Sequence, residues 1–529
     1  MTEVNRTKRR PVFFLFLLVF ALALLLAAIT FTVHYRPGLV TRYSSDEMHA
    51  AFRFNWDLDH QPAALRIFLQ QMPKGGDLHL HLTGAVYAET AIAEAAADHL
   101  CFDAATLTLV ANHGVAGDKA VCAAGQRPAA DALADPSLYT QLIDAFSMRG
   151  YFPRQSVTGH DYFFSTFMRF NILETAHAAD WIHEVAARAA TQNEQYVEAM
   201  VNPPDPVTLA LAPKLAWNPD DLPAMRAQLL QGGIRADVLT AVRQFDAMDA
   251  GRARIEHCGE PNPDAACAVT VRYLYQVLRG FSPAQVFAQT LVGFEVAAAS
   301  PRVVGINLVM PEDGLVTMRD YTLQMRMLDY LHSVYPQVNI TLHAGELATG
   351  LVPPAGLRFH IRQAVELGHA SRIGHGVDVL QEDDARQLLD ELRDRRILVE
   401  INLSSNDVIL GVRGADHPLR TYMRAHVPVA LSTDDEGVSR IDITHEYLRA
   451  VTEQHLSYLD LKRMARASIE HSFLPGDDLW AVPDRYNHYV PACNNIAAQS
   501  CSNFIASSQR ARQQMELERR FSVFEASIP

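Results

Sequence analysis

Short apolar runs recur along this chain, each followed by a stretch of helical period, and that alternation limits the fold more than any other feature. The runs fall at residues 77–82, 195–201, 268–274, 303–309, 338–343, 372–375, 398–403 and 427–432. Apolar runs alternating with helical stretches fit parallel strands joined by crossover helices. Eight such units predict an α/β chain closed into a (β/α)8 barrel of the TIM type. In such barrels the polar residues at the C-terminal ends of the strands form the site.

The chain has 529 residues, 49% of them apolar, enough for a large buried core. Its net charge of −14 argues against nucleic acid as the main partner, because phosphate binding needs a basic patch. Arg6, Lys8, Arg9 and Arg10 precede a segment, 11–33, that has no charged residue. About 20 such residues cross a bilayer as a helix, and basic residues ahead of them favour a cytoplasmic N-terminus. The expectation is a basic tail at 1–10, a transmembrane anchor at 11–33, and a catalytic part outside the cytoplasm, periplasmic or extracellular. The competing reading is a cleaved signal and a secreted product. Residues 34–70 read as a stalk and lead-in helix, 71–470 as the barrel, and 471–529 as a C-terminal helical extension. Six cysteines lie in loop-like stretches as the near neighbours Cys101 and Cys122, Cys258 and Cys267, Cys493 and Cys501. Local disulfides are the simple expectation. No C-x-x-C occurs, so a cysteine-based zinc ribbon is not supported.

Chemistry gathers where the apolar runs end. The first ends in His79-Leu80-His81. Residues two apart on a strand share a side, so both rings point into the barrel. Buried imidazoles need a partner, and a metal is the usual one. The fifth run ends in TLHAGE, which carries His343 and Glu346; the sixth ends in RIGHG around His375; the eighth ends in LSTDDE with Asp434 and Asp435. Singly, each reads as well as a solvated loop or a helix cap. Together, His79, His81, His343 and Asp434 suit one zinc ion with a position left open for water. Glu346 and His375 remain as the proton-handling pair that hydrolysis needs.

The segment MPKGGDLHLHLTGA at 72–85, TLHAGE at 341–346, RIGHG at 372–376, VEINLSSN at 399–406 and LSTDD at 431–435 resemble the adenosine deaminase family, in the family's order. The cysteines, extra loops and N-terminal apolar segment make the chain similar to the family's secreted, growth-factor-related branch and its bacterial relatives. The resemblance implies zinc-dependent hydrolysis of a C–N bond in a cyclic amidine, converting adenosine or 2′-deoxyadenosine to the inosine form. It matches His79, His81, His343 and Asp434 to the zinc ligands, and Glu346 to the carboxyl that protonates the purine ring. It matches His375 to the residue that orients the water and takes its proton, and Asp435 to a contact with the imidazole side of the purine. Glu400 is expected behind an imidazole. Thr83 stands where intracellular members carry Asp near the ribose 5′ end, and Gly314 is aligned with the glycine after the fourth strand that contacts the base. Phe163, Phe164, Phe167 and Phe170 either cover the substrate or pack the core. The partner expected is a small purine nucleoside, with the membrane held through 11–33. Other 6-aminopurines (adenine, a nucleotide, an N6-methylated adenosine) are alternatives, as is a catalytically silent nucleoside-binding surface protein. The H-x-E…P-C-x-x-C pattern of cytidine deaminases is missing.

Overall fold

The computed structural model describes residues 44–117, 119–153 and 157–529. His49–Pro529 form one compact unit. The strands of the main sheet are β1 (Gly75–His81), β2 (Glu194–Val201), β3 (Thr270–Leu278) and β4 (Val303–Val309). They continue as β5 (Asn339–Ala344), β6 (Arg372–His375), β7 (Leu398–Ile401) and β8 (Val429–Leu431). Each pairs in parallel with its successor, in chain order. The helices between them pack an apolar face on the sheet. Glu174–Thr191 buries Trp181, Ile182, Val185, Ala186 and Ala189, the spacing of one helical stripe.

The ring is brought together between β1 and the residues after β8. Leu80 bridges Asp434 in parallel. Asp434 N–H donates to His79 O at 2.9 Å, and His81 N–H donates to Asp434 O at 3.0 Å. The Asp77 carboxylate adds a second tie, accepting from Thr433 N–H at 3.0 Å and from its hydroxyl at 2.6 Å. The seam therefore runs through residues expected to hold a metal.

The eight expected strands are all present, with shifted ends. β3 runs on to Leu278, because Gln276 points into the barrel and does not end the strand. β7 stops at Ile401, and Leu403 already begins the helix Leu403–Leu410. The loop-like stretch around Cys258 and Cys267 follows directly on the helix Arg235–Ile255. The insertion near 100–135 holds a three-stranded sheet of Cys101–Asp103, Leu109–Val110 and Gln126–Pro128. The C-terminal helix Gln509–Ser527 buries Leu517, Phe521 and Phe524 and so forms part of the core. The disulfides are Cys101–Cys122, Cys258–Cys267 and Cys493–Cys501, and no free cysteine remains among the described residues.

The expected location of the protein needs correction. No helix among the described residues is long and apolar enough to cross a membrane. That finding removes support for the membrane-anchored assignment. The segment 11–33, on which the anchor was placed, lies outside the described residues.

Candidate active site

β1, β5, β6 and the turn after β8 bring four imidazoles and a carboxylate to one point. Ligand atoms of His79, His343, His375 and Asp434 lie within 4.8 Å of one another, and those of His81, Asp434 and Asp435 do the same. His81 Nε2 is 3.3 Å from Asp434 Oδ1 and 3.2 Å from His343 Nε2. His79 Nε2 is 3.7 Å from Asp434 Oδ1. The structure thus assembles all four expected ligand residues and adds His375 to their group.

The far side of three rings explains which nitrogen faces inward. His79 Nδ1–H donates to Glu400 Oε2 at 2.7 Å. His81 Nδ1–H donates to Gln276 Oε1 at 2.8 Å. His343 Nδ1–H donates to Asn307 Oδ1 at 3.0 Å, and that oxygen also accepts the His343 main-chain N–H at 3.1 Å. A neutral imidazole that donates at Nδ1 offers a lone pair at Nε2. The facing Nε2 atoms of His81 and His343 would then repel unless a cation or proton lies between them. His79 Nε2 is buried with no hydrogen-bond partner. Orphaned buried acceptors beside a carboxylate are the donor set that zinc takes, and outer partners that orient each ring complete it.

Glu400 stands where expected and is itself held. Its Oε1 accepts from Thr341 Oγ1 at 2.9 Å and from Arg372 Nε at 2.6 Å. Arg372 Nη2 donates onward to Glu198 Oε2 at 2.6 Å. Gly374 leaves room for this arrangement, since a Cβ there would lie 2.5 Å from His79 Cε1.

The carboxyl groups around the point differ in character. Burial pushes Glu346 well above the ordinary carboxylate range, with Asp434 and Glu312 adding to it. Glu312 behaves in the opposite way. Its burial is outweighed by His360, Arg279 and the main-chain N–H of Gly345, which hold it at about 2. It anchors the TLHAGE turn by accepting from Gly345 N–H at 3.0 Å and Glu346 N–H at 2.7 Å. Burial raises Asp435 well above its ordinary value, helped by neighbouring Asp434. Asp434 is held down at about 2: burial opposes this, but His79, His375 and His81 prevail.

The backbone is strained at the same place. His375 (φ 69°) and Asp434 (φ 61°) both adopt left-handed backbone without being glycine. Such residues cost about 1–3 kcal/mol each and cluster at functional sites. Met310 (φ 97°) is a third, at the end of β4. Gly314 does not occupy that turn. It precedes the helix Leu315–Val334 with φ −58°. The turn where the resemblance implies a glycine is made in this chain by Met310.

Thr83 lies on the one-turn helix Leu82–Ala85 after β1. Glu174 stands beside it, and burial raises that carboxyl to about 7 against the opposing pull of the Thr83 hydroxyl. The sequence reading missed Glu174, Gln276, Asn307 and Glu312. Gln276 fell beyond the strand end assigned to β3, and nothing near Glu174 marks it as facing Thr83. Phe163 and Phe170 are fully packed, and Phe164 and Phe167 join the same core. The helix Gly159–Phe167 carries three of them; its His160 Nε2 lies 3.0 Å from Asp313 Oδ1, in the loop after β4. Asp434 is 2% exposed and Asp435 5%, so the site is enclosed.

Comparison with known proteins accords with this geometry. A family model described as adenosine deaminase matches residues 154–488, more than half of the chain. That match leaves out β1, where His79 and His81 lie. The adenosine deaminase of Shewanella loihica is 39% identical over 144 residues, which is 27% of this chain. The aligned stretch spans 40% of that relative's length. The solved structure of a zinc-bound amidohydrolase from Burkhoderia ambifaria superposes with a TM-score of 0.53 at 17% identity, covering 88% of this chain and 96% of that one. That of an adenine deaminase from Arthrobacter aurescens gives 0.51 at 15% identity, covering 84% and 98%. At these identities the two likenesses establish the barrel fold.

Proposed function

The chain belongs to the adenosine deaminase family, and from that premise we propose that it hydrolyses the 6-amino group of adenosine and 2′-deoxyadenosine, releasing ammonia. One observation carries the reading. Three inward Nε2 acceptors and the Asp434 carboxylate meet beside Glu346, a carboxyl that burial pushes well above the ordinary carboxylate range.

His79, His81, His343 and Asp434 are the residues that would hold one zinc ion. Bound there, zinc lowers the pKa of a water molecule towards about 7 and supplies a nucleophile at neutral pH. Glu346 lends its proton to the purine N1 as the water oxygen bonds to C6. The C6–N6 bond then breaks, and ammonia leaves. The two water protons restore the Glu346 carboxyl and complete the ammonia. His375 orients the oxygen from the β6 side. Asp435, with Oδ1 buried and free of any hydrogen bond, is placed to contact the imidazole half of the purine. The enclosure strengthens each of these interactions by excluding water.

At the sugar end, Thr83 and Glu174 offer hydrogen-bonding oxygens for a 5′-hydroxyl. A carboxyl there disfavours a 5′-phosphate, by like charge. This supports a nucleoside over a nucleotide as substrate.

Ammonia release from adenosine, 2′-deoxyadenosine, adenine, AMP and N6-methyladenosine tests the reading with the purified full chain. The nucleosides are expected to be turned over fastest. Glu346→Gln should keep its zinc and lose at least about 100-fold in kcat, the scale of a removed acid–base group. His343→Ala should lose both metal and activity. A Glu346→Gln enzyme of near-normal rate, or AMP as the preferred substrate, would refute the proposal.

A further inference from the structure

Four imidazoles meet in this site, but their outer nitrogens are not treated alike. At His79, His81 and His343 the neighbour of Nδ1 is an oxygen. At His375 it is an amide nitrogen: Asn406 Nδ2 at 2.9 Å, with Asn402 Nδ2 at 3.3 Å.

The other end of the Asn406 side chain settles which way the amide points. Asn406 Oδ1 lies 3.0 Å from His417 Nε2, and His417 Nδ1 lies 3.2 Å from the main-chain N–H of Leu419. A main-chain N–H only donates, so His417 Nδ1 is an acceptor. Burial lowers His417 to about 3, so the ring is neutral and its single proton sits on Nε2. That proton goes to Asn406 Oδ1. The Asn406 NH2 group therefore faces His375, and His375 Nδ1 accepts. The one proton of a neutral His375 then lies on Nε2, 3.9 Å from Asp434 Oδ2. Glu346 Oε1, which lies farther from Nδ1 than either amide, is 3.6 Å away and beyond hydrogen-bond reach. His375 and Asn406 are fully buried and His417 is 3% exposed, so solvent has little access to the chain of bonds.

We propose that Asn406 and His417 are positioning residues that hold His375 as its Nε2–H tautomer, so that this ring offers a donor where the other three offer lone pairs. The proposal rests on the deaminase reading above. In that reading His375 donates a hydrogen bond to the oxygen that adds to C6. It holds that oxygen and supports the charge on it as the bond forms, as a fixed donor does in an oxyanion site. It does not take the first proton from the water. The same logic separates ligand from non-ligand among four neighbouring histidines: a ring with a proton on its inward nitrogen cannot coordinate a cation through it.

Long-range proton–nitrogen correlation spectra of the zinc-loaded full chain, labelled with [15N]histidine, read the tautomer directly. His375, assigned by loss of its signals in His375→Gln, is expected to show the Nε2–H pattern in the wild type. His417→Leu should abolish that pattern and lower kcat by about 10- to 100-fold, with zinc content retained and KM changed by less than about twofold. His417→Gln, whose amide reaches the Nε2 position and can donate to Asn406, should restore most of kcat. A wild-type His375 protonated on Nδ1 overturns the proposal. So does an unchanged kcat in folded His417→Leu. If that variant does not fold, the wild-type spectrum decides alone. If the wild type deaminates no purine, the reading of function falls, while the spectrum still tests the tautomer.

Discussion

Asp435 has room for its carboxylate only because residue 84 is glycine: a Cβ there would overlap Asp435 Oδ1 and Cγ. Gly84 and Gly374 thus appear in the motifs for their lack of a side chain, each beside a residue of the site. Their neighbour Thr83 raises a different question, because it replaces an acid expected near the ribose. Glu174 brings a carboxyl group to the same place from the start of another helix, and its pKa of about 7 makes it responsive near neutrality. A carboxylate accepts a hydrogen bond more strongly than a carboxylic acid, by about 1–2 kcal/mol. The preference for adenosine over 5′-deoxyadenosine in kcat/KM should therefore grow as pH rises from 6 to 8, by roughly three- to tenfold. Glu174→Gln should flatten that dependence. An unaltered pH dependence in the variant would assign the 5′ end to some other group.

Strands β2, β6 and β7 are cross-linked by a buried ion triad. Arg372, on β6, donates to Glu198 on β2 and to Glu400 on β7, both at 2.6 Å, and its guanidinium stacks 3.7 Å from the Phe473 ring centroid. Glu400 in turn holds His79. The triad ties the lower barrel to the candidate metal ligands. Removing the cation leaves two buried carboxylates uncompensated, at a cost of about 3–5 kcal/mol. Arg372→Met should lower the stability measured by urea unfolding by that amount and should also weaken zinc binding, because Glu400 loses a partner. An unchanged urea midpoint would show that the two acids are neutral without the arginine and that the triad contributes little.

Across the whole molecule, the candidate ligands come from β1, β5 and the turn after β8, so one bound ion would join the barrel seam to its opposite side. A ligand that binds only the folded state stabilises it by RT ln(1 + [L]/Kd), about 2.7 kcal/mol at 100 times Kd. Zinc added back to chelator-treated protein should therefore raise Tm, increasingly with concentration, and His343→Ala should show no such rise. Equal melting curves with and without zinc would mean that the rings are held by their outer partners alone. Non-reduced peptide mapping offers an independent check on the fold through Cys101–Cys122, Cys258–Cys267 and Cys493–Cys501.

The sequence alone determined the eight strands, their parallel order and the residues that close on one point. Each of those features is local: an apolar run, a helical period, or polar residues at a strand end. His79, His81, His343, His375, Asp434 and Asp435 were legible because barrel geometry sends all strand ends to the same rim. Tertiary structure decided what surrounds them. Gln276, Asn307, Glu174 and His417 carry no local mark, and Asn406 is marked only as the end of VEINLSSN, since each matters through a neighbour distant in the chain or across a turn. Strand ends were likewise lost where a polar residue pointed inward, as Gln276 does on β3. The same holds for Met310, whose left-handed backbone no side-chain pattern announces. Hydrogen-bond direction belongs to the tertiary structure as well. Which nitrogen of a histidine carries the proton depends on the partner behind it, and the fold chooses that partner.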